Sequence, residues 1–234
     1  MTVSIMQPTF LPWTGYFNLM ANSDIFVFLD DVQFEKQSWQ QRNRIIQNKN
    51  ECMLSLPVLT KGKHDQLIAD VILDDKHNWR EKQLKTIQNA YSKHLFGNLI
   101  LDIFEKYITK GSSKLCELNT AFIIKIKEML NLKTNIIFSS NLKAEGKRSN
   151  KIYNICKMLG ATQYLSPVGS KEYIEEDKVF DHNNLPVIYQ NYIPVPYPQK
   201  DIQNFIPYMS IVDLLANVGP DNAIKYILPE NNNV

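Results

Sequence analysis

Residues 24–29, DIFVFL, constrain the fold more than any other stretch: an almost wholly apolar run that leads directly into the acidic pair Asp30 and Asp31. A continuous apolar run bounded by polar residues suits a strand covered on both faces, the situation of a strand inside an α/β sheet. Upstream, residues 4–10 read as a first strand, broken by Pro12 and Gly15. Residues 15–22 follow as a short helix carrying Tyr16, Phe17, Leu19 and Met20. Strand, glycine turn, helix and strand make the start of a βαβ arrangement.

Further on, residues 51–59 and 67–73 read as strands around a polar turn at 61–66. The periodicity then changes. Trp79, Leu84, Ile87 and Tyr91 mark one helix, Leu99 to Ile108 a second, and Leu115 to Leu130 a third, all at helical spacing. The aromatics of this block are expected in the core. Strand character returns at 134–139, followed by a polar loop at 140–148, a helix over 149–159 stopped by Gly160, and a short strand at 163–165 before the loop 166–170. Residues 186–192 are strand-like, and the prolines at 194, 196 and 198 cannot continue inside a sheet. Ser210 and Asp213 form a capping-box pattern for a helix over 211–217, closed by Gly219 and Pro220 and followed by a frayed tail over 228–234. The expected fold is α/β, an open, mostly parallel sheet of Rossmann-like or nucleotidyltransferase-like layout with an inserted helical block. Its parts are an N-terminal αβ part (1–77), the helical block (78–131) and a C-terminal αβ part (132–234) completing the same domain.

Charge and cysteine usage exclude some functions. With 26 basic against 24 acidic residues the net charge is only +2, too balanced for a general nucleic-acid binder. No stretch of 18 apolar residues provides a membrane span, and the start MTVSIMQPTF has neither the basic beginning nor the apolar run of a secretory signal, so a cytoplasmic location is expected. Cys52, Cys116 and Cys156 lie far apart, and the four histidines are isolated, so no zinc spacing exists. Reduced, partly buried thiols are expected, with Cys156 on the apolar stripe of its helix.

The chemistry is expected in the loop QPTFLPWTGY (7–16) and in DDVQFEKQSWQQRNR (30–44). A loop leaving the carboxyl end of a first parallel strand is a favoured ligand position in open α/β sheets. Gly15 permits close backbone approach there, and Asp30 and Asp31 would open on the same rim. Gln7, Asp30 and Asp31 are the candidate catalytic residues, an aspartate accepting the proton of an attacking hydroxyl or ammonium. Trp13, Tyr16 and Trp39 are candidates for flanking a sugar or base. Arg42, Arg44 and Arg148 are candidates for holding phosphate, which arginine grips in bidentate fashion.

The chain also resembles the WbqC-like protein family, through IMQPTFLPWTGYFNLM, DIFVFLDDVQF, SWQQRNRI, LGATQYLSPVGS, YPQ and FIPYMSIVDLLANVG, spread from residue 5 to about 219. That resemblance implies a bacterial role in O-antigen or other surface-polysaccharide biosynthesis, with acyl or aminoacyl transfer onto a sugar amine. It carries over to Gln7, Pro8, Gly15, Tyr16, Asp30, Asp31, Gln33, Trp39, Arg42, Asn43 and Arg44. It extends to Gly146, Arg148, Ser166, Gly169, Tyr197, Gln199, Ser210 and Asp213. A second, weaker resemblance is in layout, to the first βαβ unit of HxGH nucleotidyltransferases; Trp13, Thr14, Gly15 and Tyr16 occupy the box, and only the glycine matches.

The leading expectation is a transferase acting on a nucleotide-linked amino sugar. No cofactor is firmly expected; the acyl donor would be a thioester, on coenzyme A or on an acyl carrier protein as partner. The enzyme alternative is nucleotidyl transfer, with Mg²⁺ near Asp30 and Asp31. The non-enzyme alternative is a sugar-nucleotide-binding or scaffold protein, and the helical block offers a surface for a homodimer.

Overall fold

In the computed structural model, which describes residues 1–229, the apolar run forms β2 (Ile25–Phe28) inside a five-stranded parallel sheet. Its neighbours are β1 (Thr2–Met6) on one side and β5 (Asn135–Phe138) on the other, with Val3 opposite Ile25 and Phe28 opposite Phe138. Beyond β1 lie β6 (Gln163–Ser166) and β7 (Val187–Tyr189). Successive side chains of a strand point to opposite faces, and both faces here are covered. Phe26 and Phe28 pack with Tyr16 and Phe17 in one core, while Val27 packs with Val3, Ile155 and Cys156 in another. That two-sided burial is why residues 24–29 carry almost no polar side chain between their acidic ends.

The chain runs outward from β1 to β2 and β5, then returns past β1 to β6 and β7. Its direction across the sheet therefore reverses between β1 and β6, and a crevice opens at the carboxyl ends of such a strand pair.

Helices cover the sheet. α1 (Thr14–Ala21) leads from β1 to β2. The block α2 (Trp79–Tyr91), α3 (Gly97–Phe104) and α4 (Leu115–Met129) buries Trp79, Tyr91, Phe104 and Phe122 as expected. A short α5 (Ser139–Leu142) occupies the start of the expected polar loop; it forms because the Asp30 carboxylate accepts from Ser139 and Ser140 at its first turn. α6 (Arg148–Met158) is followed by Gly160 at φ +68, where a left-handed residue ends a helix without steric cost. α7 (Lys171–Asp177) and α8 (Val179–His182) precede β7.

Two expectations are corrected. The strand foreseen at 67–73 is a single tight turn at Ile68–Asp70, because the amides of Ile68 and Ala69 bond the loop carbonyls of Val32 and Asp30 instead of a ladder partner. In α9 (Ile211–Val218) the Ser210 hydroxyl accepts from the Val212 amide at 3.3 Å, but Asp213 does not complete the box; its carboxylate is bonded to tyrosines elsewhere. Gly219, at φ 74, closes α9 as expected, and with Pro220 it also starts a further helix, α10 (Pro220–Ile227), with Pro220 at a first-turn position that needs no amide donor. Of the expected tail, residues 230–234 lie outside the described residues.

Outside the sheet stands an antiparallel hairpin, β3 (Arg42–Gln47) and β4 (Asn50–Ser55), whose two turn residues Asn48 and Lys49 both adopt positive φ, 51 and 65. This hairpin fastens the loop that leaves β1. Asn43, buried on β3, donates to the carbonyls of Phe10 and Leu11, each at 2.9 Å. Asn119 of α4 donates to the Pro8 carbonyl at 3.1 Å and to Gln40 at 2.8 Å. Leu11 is held at φ 44, a backbone conformation that non-glycine residues adopt only under constraint.

Replacing Asn43 leaves two buried carbonyls without their donor, at about 1–3 kcal/mol each. In thermal denaturation Asn43→Ala is expected to lower Tm by roughly 12 °C, from about 4 kcal/mol at about 2–4 °C per kcal/mol for a chain this size. Gln47→Ala, on the same strand and without a side-chain bond, is expected to stay within about 0.5 kcal/mol of wild type.

Candidate functional site: an aromatic crevice where the sheet reverses

Two adjoining cavities open between the ends of β1 and β6, of about 240 and 440 Å³. They share the walls Met6, Trp13, Tyr16 and Tyr208. The smaller adds Thr9, Trp39, Asn43 and Arg44; the larger adds Gly15, Leu19, the turn Pro167–Gly169, Gln190 and Tyr192.

Trp13 is the partition. Its ring lies 5.2 Å from that of Tyr208 and 5.6 Å from that of Tyr192. Gly15 is what lets it lie there: a Cβ on residue 15 would stand 2.2 Å from the indole. Tyr16 is buried and its hydroxyl donates to the Gln7 carbonyl at 3.1 Å; burial raises its pKa well above the ordinary phenol value, so it stays protonated. Tyr208 sits at φ 61, and its carbonyl accepts from Arg44 at 3.4 Å. Arg44 is the cation of the crevice. It pairs with Glu51 at 3.0 Å, lies 5.6 Å from the Trp39 ring, and leaves its buried Nε without a partner. Tilted aromatic rings beside one guanidinium suit a flat ring joined to an anionic group.

Of the sequence-derived candidates, Trp13, Gly15, Tyr16, Trp39, Asn43 and Arg44 meet here, with the turn that follows Ser166. Ser166 itself is buried, its hydroxyl on the Pro167 carbonyl. Gln7 lines neither cavity; its Oε1 accepts from Gln40 Nε2 at 2.9 Å, and Gln40 is oriented by the Glu35 amide, which donates to its Oε1 at 3.2 Å. Asp30 is buried on the same rim of the sheet with its carboxylate spent on Ser139 and Ser140. Asp31 shares the single Ser139 hydroxyl proton with Asp30 and pairs with Lys151 at 2.8 Å. Gln33 bonds His64 and Asp65, away from the crevice. Arg42 lines a separate cleft beside His77 and Trp79, and the exposed Arg148 pairs with Glu176 and Asp177 over another.

Tyr197 and Gln199 build structure beneath the site. The Asp213 carboxylate, 1% exposed, accepts from Tyr197 at 2.8 Å, Gln199 at 3.1 Å and Tyr91 at 3.1 Å. Burial raises its pKa above the usual carboxylate value, against the lowering effect of those three donors. The cysteines are free; Cys116 and Cys156 are buried, which pushes each thiol up to about 12 and leaves them unreactive.

The sequence reading missed Tyr192, Gln190 and Tyr208. A signal existed for the first two, which lie just past the carboxyl end of a strand, as Gln7 does; Tyr208 enters through an irregular segment that no periodicity marks.

The WbqC-like protein family model matches residues 7–225, and the chain belongs to that family. Over 220 residues it is 29% identical to Uncharacterized protein Rv1507c of Mycobacterium tuberculosis (strain ATCC 25618 / H37Rv), with 94% of each chain covered. No solved structure matches it. Among the described residues no helix is long and apolar enough to cross a membrane.

Two substitutions test this geometry. Gly15→Ala is expected to drive the Trp13 ring out of place, seen as a shift in tryptophan fluorescence and a displaced indole in a crystal structure, with the chain still folded. For Asp213 the folded pKa lies above the unfolded value of about 3.9, so its contribution to stability is complete below that value and declines as pH rises through the folded one. The stability of wild type relative to Asp213→Asn is therefore expected to fall from pH 4 towards neutrality in a series of urea denaturations.

Proposed function

We propose that this chain is a transferase that modifies a nucleotide-linked amino sugar, by acyl or aminoacyl transfer to the sugar amine, in surface-polysaccharide biosynthesis. Family membership supports a biosynthetic role of the WbqC-like kind. The observation that carries the reading is the divided aromatic crevice at the point where the sheet order reverses, the position at which open α/β sheets take nucleotides. The order β5-β2-β1-β6-β7, all parallel, supports a Rossmann-like or nucleotidyltransferase-like layout.

In this reading Arg44 holds phosphate, and Trp13, Trp39 and Tyr208 flank the base or sugar. The sugar amine attacks the carbonyl carbon of a thioester, carried by coenzyme A or an acyl carrier protein. The C–N bond forms, the C–S bond breaks, and the proton lost from nitrogen is balanced by the one gained by the leaving thiolate. Asp30 and Asp31, engaged by Ser139, Ser140 and Lys151, are left out of this chemistry. Nucleotidyl transfer is the second reading, favoured by the strand order and by the loop at the end of β1; it would release pyrophosphate in place of a thiol.

Calorimetric titration with uridine and thymidine diphosphate amino sugars tests the site. Arg44→Gln is expected to weaken binding about tenfold, or about 1.4 kcal/mol, while Arg42→Gln binds as wild type. Wild-type affinity in both variants would remove Arg44 from the proposal. An amide product and free thiol, found by mass spectrometry after adding acyl-coenzyme A, support acyl transfer; binding without turnover favours a scaffold.

A further inference from the structure

On another face of the hairpin, a cleft of about 220 Å³ gathers three lysines from three segments: Lys49 from the β3–β4 turn, Lys93 just past α2, and Lys200 from the irregular stretch before α9. The Lys200 ammonium donates to the Lys93 carbonyl at 2.5 Å, which fastens the irregular stretch to the chain just past α2. Arg44, Arg80, Arg148 and Lys151 are neutralised by Glu51, Asp75, Glu176 and Asp31, so those cations are already engaged. Among the described residues none of these three lysines has a carboxylate within ion-pair distance.

The other walls cancel only part of this charge. Asp213 lies at the cleft, but its oxygens are already bonded to Tyr91, Tyr197 and Gln199. Asp201 is the one further acid in the lining. Asn48 and Asn89 offer side-chain amides, and His94 has a buried Nδ1 with no partner. Burial and the nearby Lys200 lower the His94 pKa, so the imidazole adds no fourth positive charge at neutral pH.

We propose that this cleft binds a phosphate-bearing anion, a diphosphate or a phosphate monoester, at a site separate from the aromatic crevice. Ammonium groups bind phosphate as point charges, and charge-assisted hydrogen bonds are stronger than neutral ones. A dianion offsets the mutual repulsion of three like charges, and the amides of Asn48 and Asn89 supply neutral donors. The two sites meet the same segment: Lys200 and Asp201 stand at one end of it, and Tyr208 walls the crevice at the other. Gln199, next to Lys200, spans most of it, accepting from the Ile206 amide at 2.8 Å and donating to the Ile206 carbonyl at 2.9 Å.

The test is calorimetric titration of the full chain with inorganic pyrophosphate. Wild type is expected to bind one equivalent, and Lys49→Gln/Lys93→Gln to bind at least about tenfold more weakly with an unchanged Tm, because both side chains are exposed. Lys61→Gln/Lys63→Gln, with the same change of net charge on another loop, is expected to bind as wild type. Arg44→Gln is also expected to bind as wild type, and its loss of binding would place the anion in the crevice and overturn the proposal. No binding by wild type at millimolar pyrophosphate, or equal loss in the two double-lysine variants, would overturn it as well. Because the probe carries no sugar or base, its outcome is independent of the proposed transfer reaction.

Discussion

One side-chain amide holds the crevice together. Asn43 donates to two consecutive carbonyls, Phe10 and Leu11, and so fixes the chain where it leaves the central strand. Leu11 is thereby kept in a left-handed conformation that costs a branched residue roughly 1–2 kcal/mol. The Phe10 amide donates to the Trp39 carbonyl at 2.9 Å and the Pro8 carbonyl accepts from Asn119, so hairpin, helical block and sheet all grip one short loop. The crevice inherits its shape from this. Trp13 enters α1 in the orientation the loop imposes, and Arg44 is presented beside it because it follows Asn43 on the same strand.

What the sequence made legible was whatever depends on local period. The apolar run of β2, the three helices of the block and the break after β1 all announce themselves within a dozen residues. β3 did not, because RNRIIQ lies outside the main sheet and carries polar groups for which no short-range pattern exists. The arginines show the same limit. Arg42 and Arg44 share the two-residue period of a strand, yet only Arg44 meets the crevice, because Tyr208, from a segment 164 residues away, supplies its neighbouring carbonyl. Asp30 and Asp31 stand on the expected rim, but their partners Ser139, Ser140 and Lys151 come more than a hundred residues later and take up their carboxylates.

Asp213 illustrates the trade between local and distant demands. Its position favours a capping role for α9, and three donors from elsewhere claim it instead. Tyr91 brings the end of α2, Tyr197 and Gln199 bring the irregular segment, and the Tyr91 oxygen also accepts the Ile46 amide of β3 at 3.2 Å. One buried carboxylate thus joins the hairpin, the helical block and the segment carrying Tyr208. The walls of the crevice and of the lysine cleft are tied to the same point.

Gln7 shows how far an orientation can be relayed. A glutamine amide free in water offers a donor on one side and an acceptor on the other with no preference between them. Here the Glu35 peptide N–H fixes the oxygen of Gln40, Gln40 must then turn its nitrogen to Gln7, and Gln7 is left with only its own N–H to offer. An ambidextrous side chain has become one-handed. With its oxygen taken by Gln40, only its N–H remains to be offered, to an oxygen and never to another N–H.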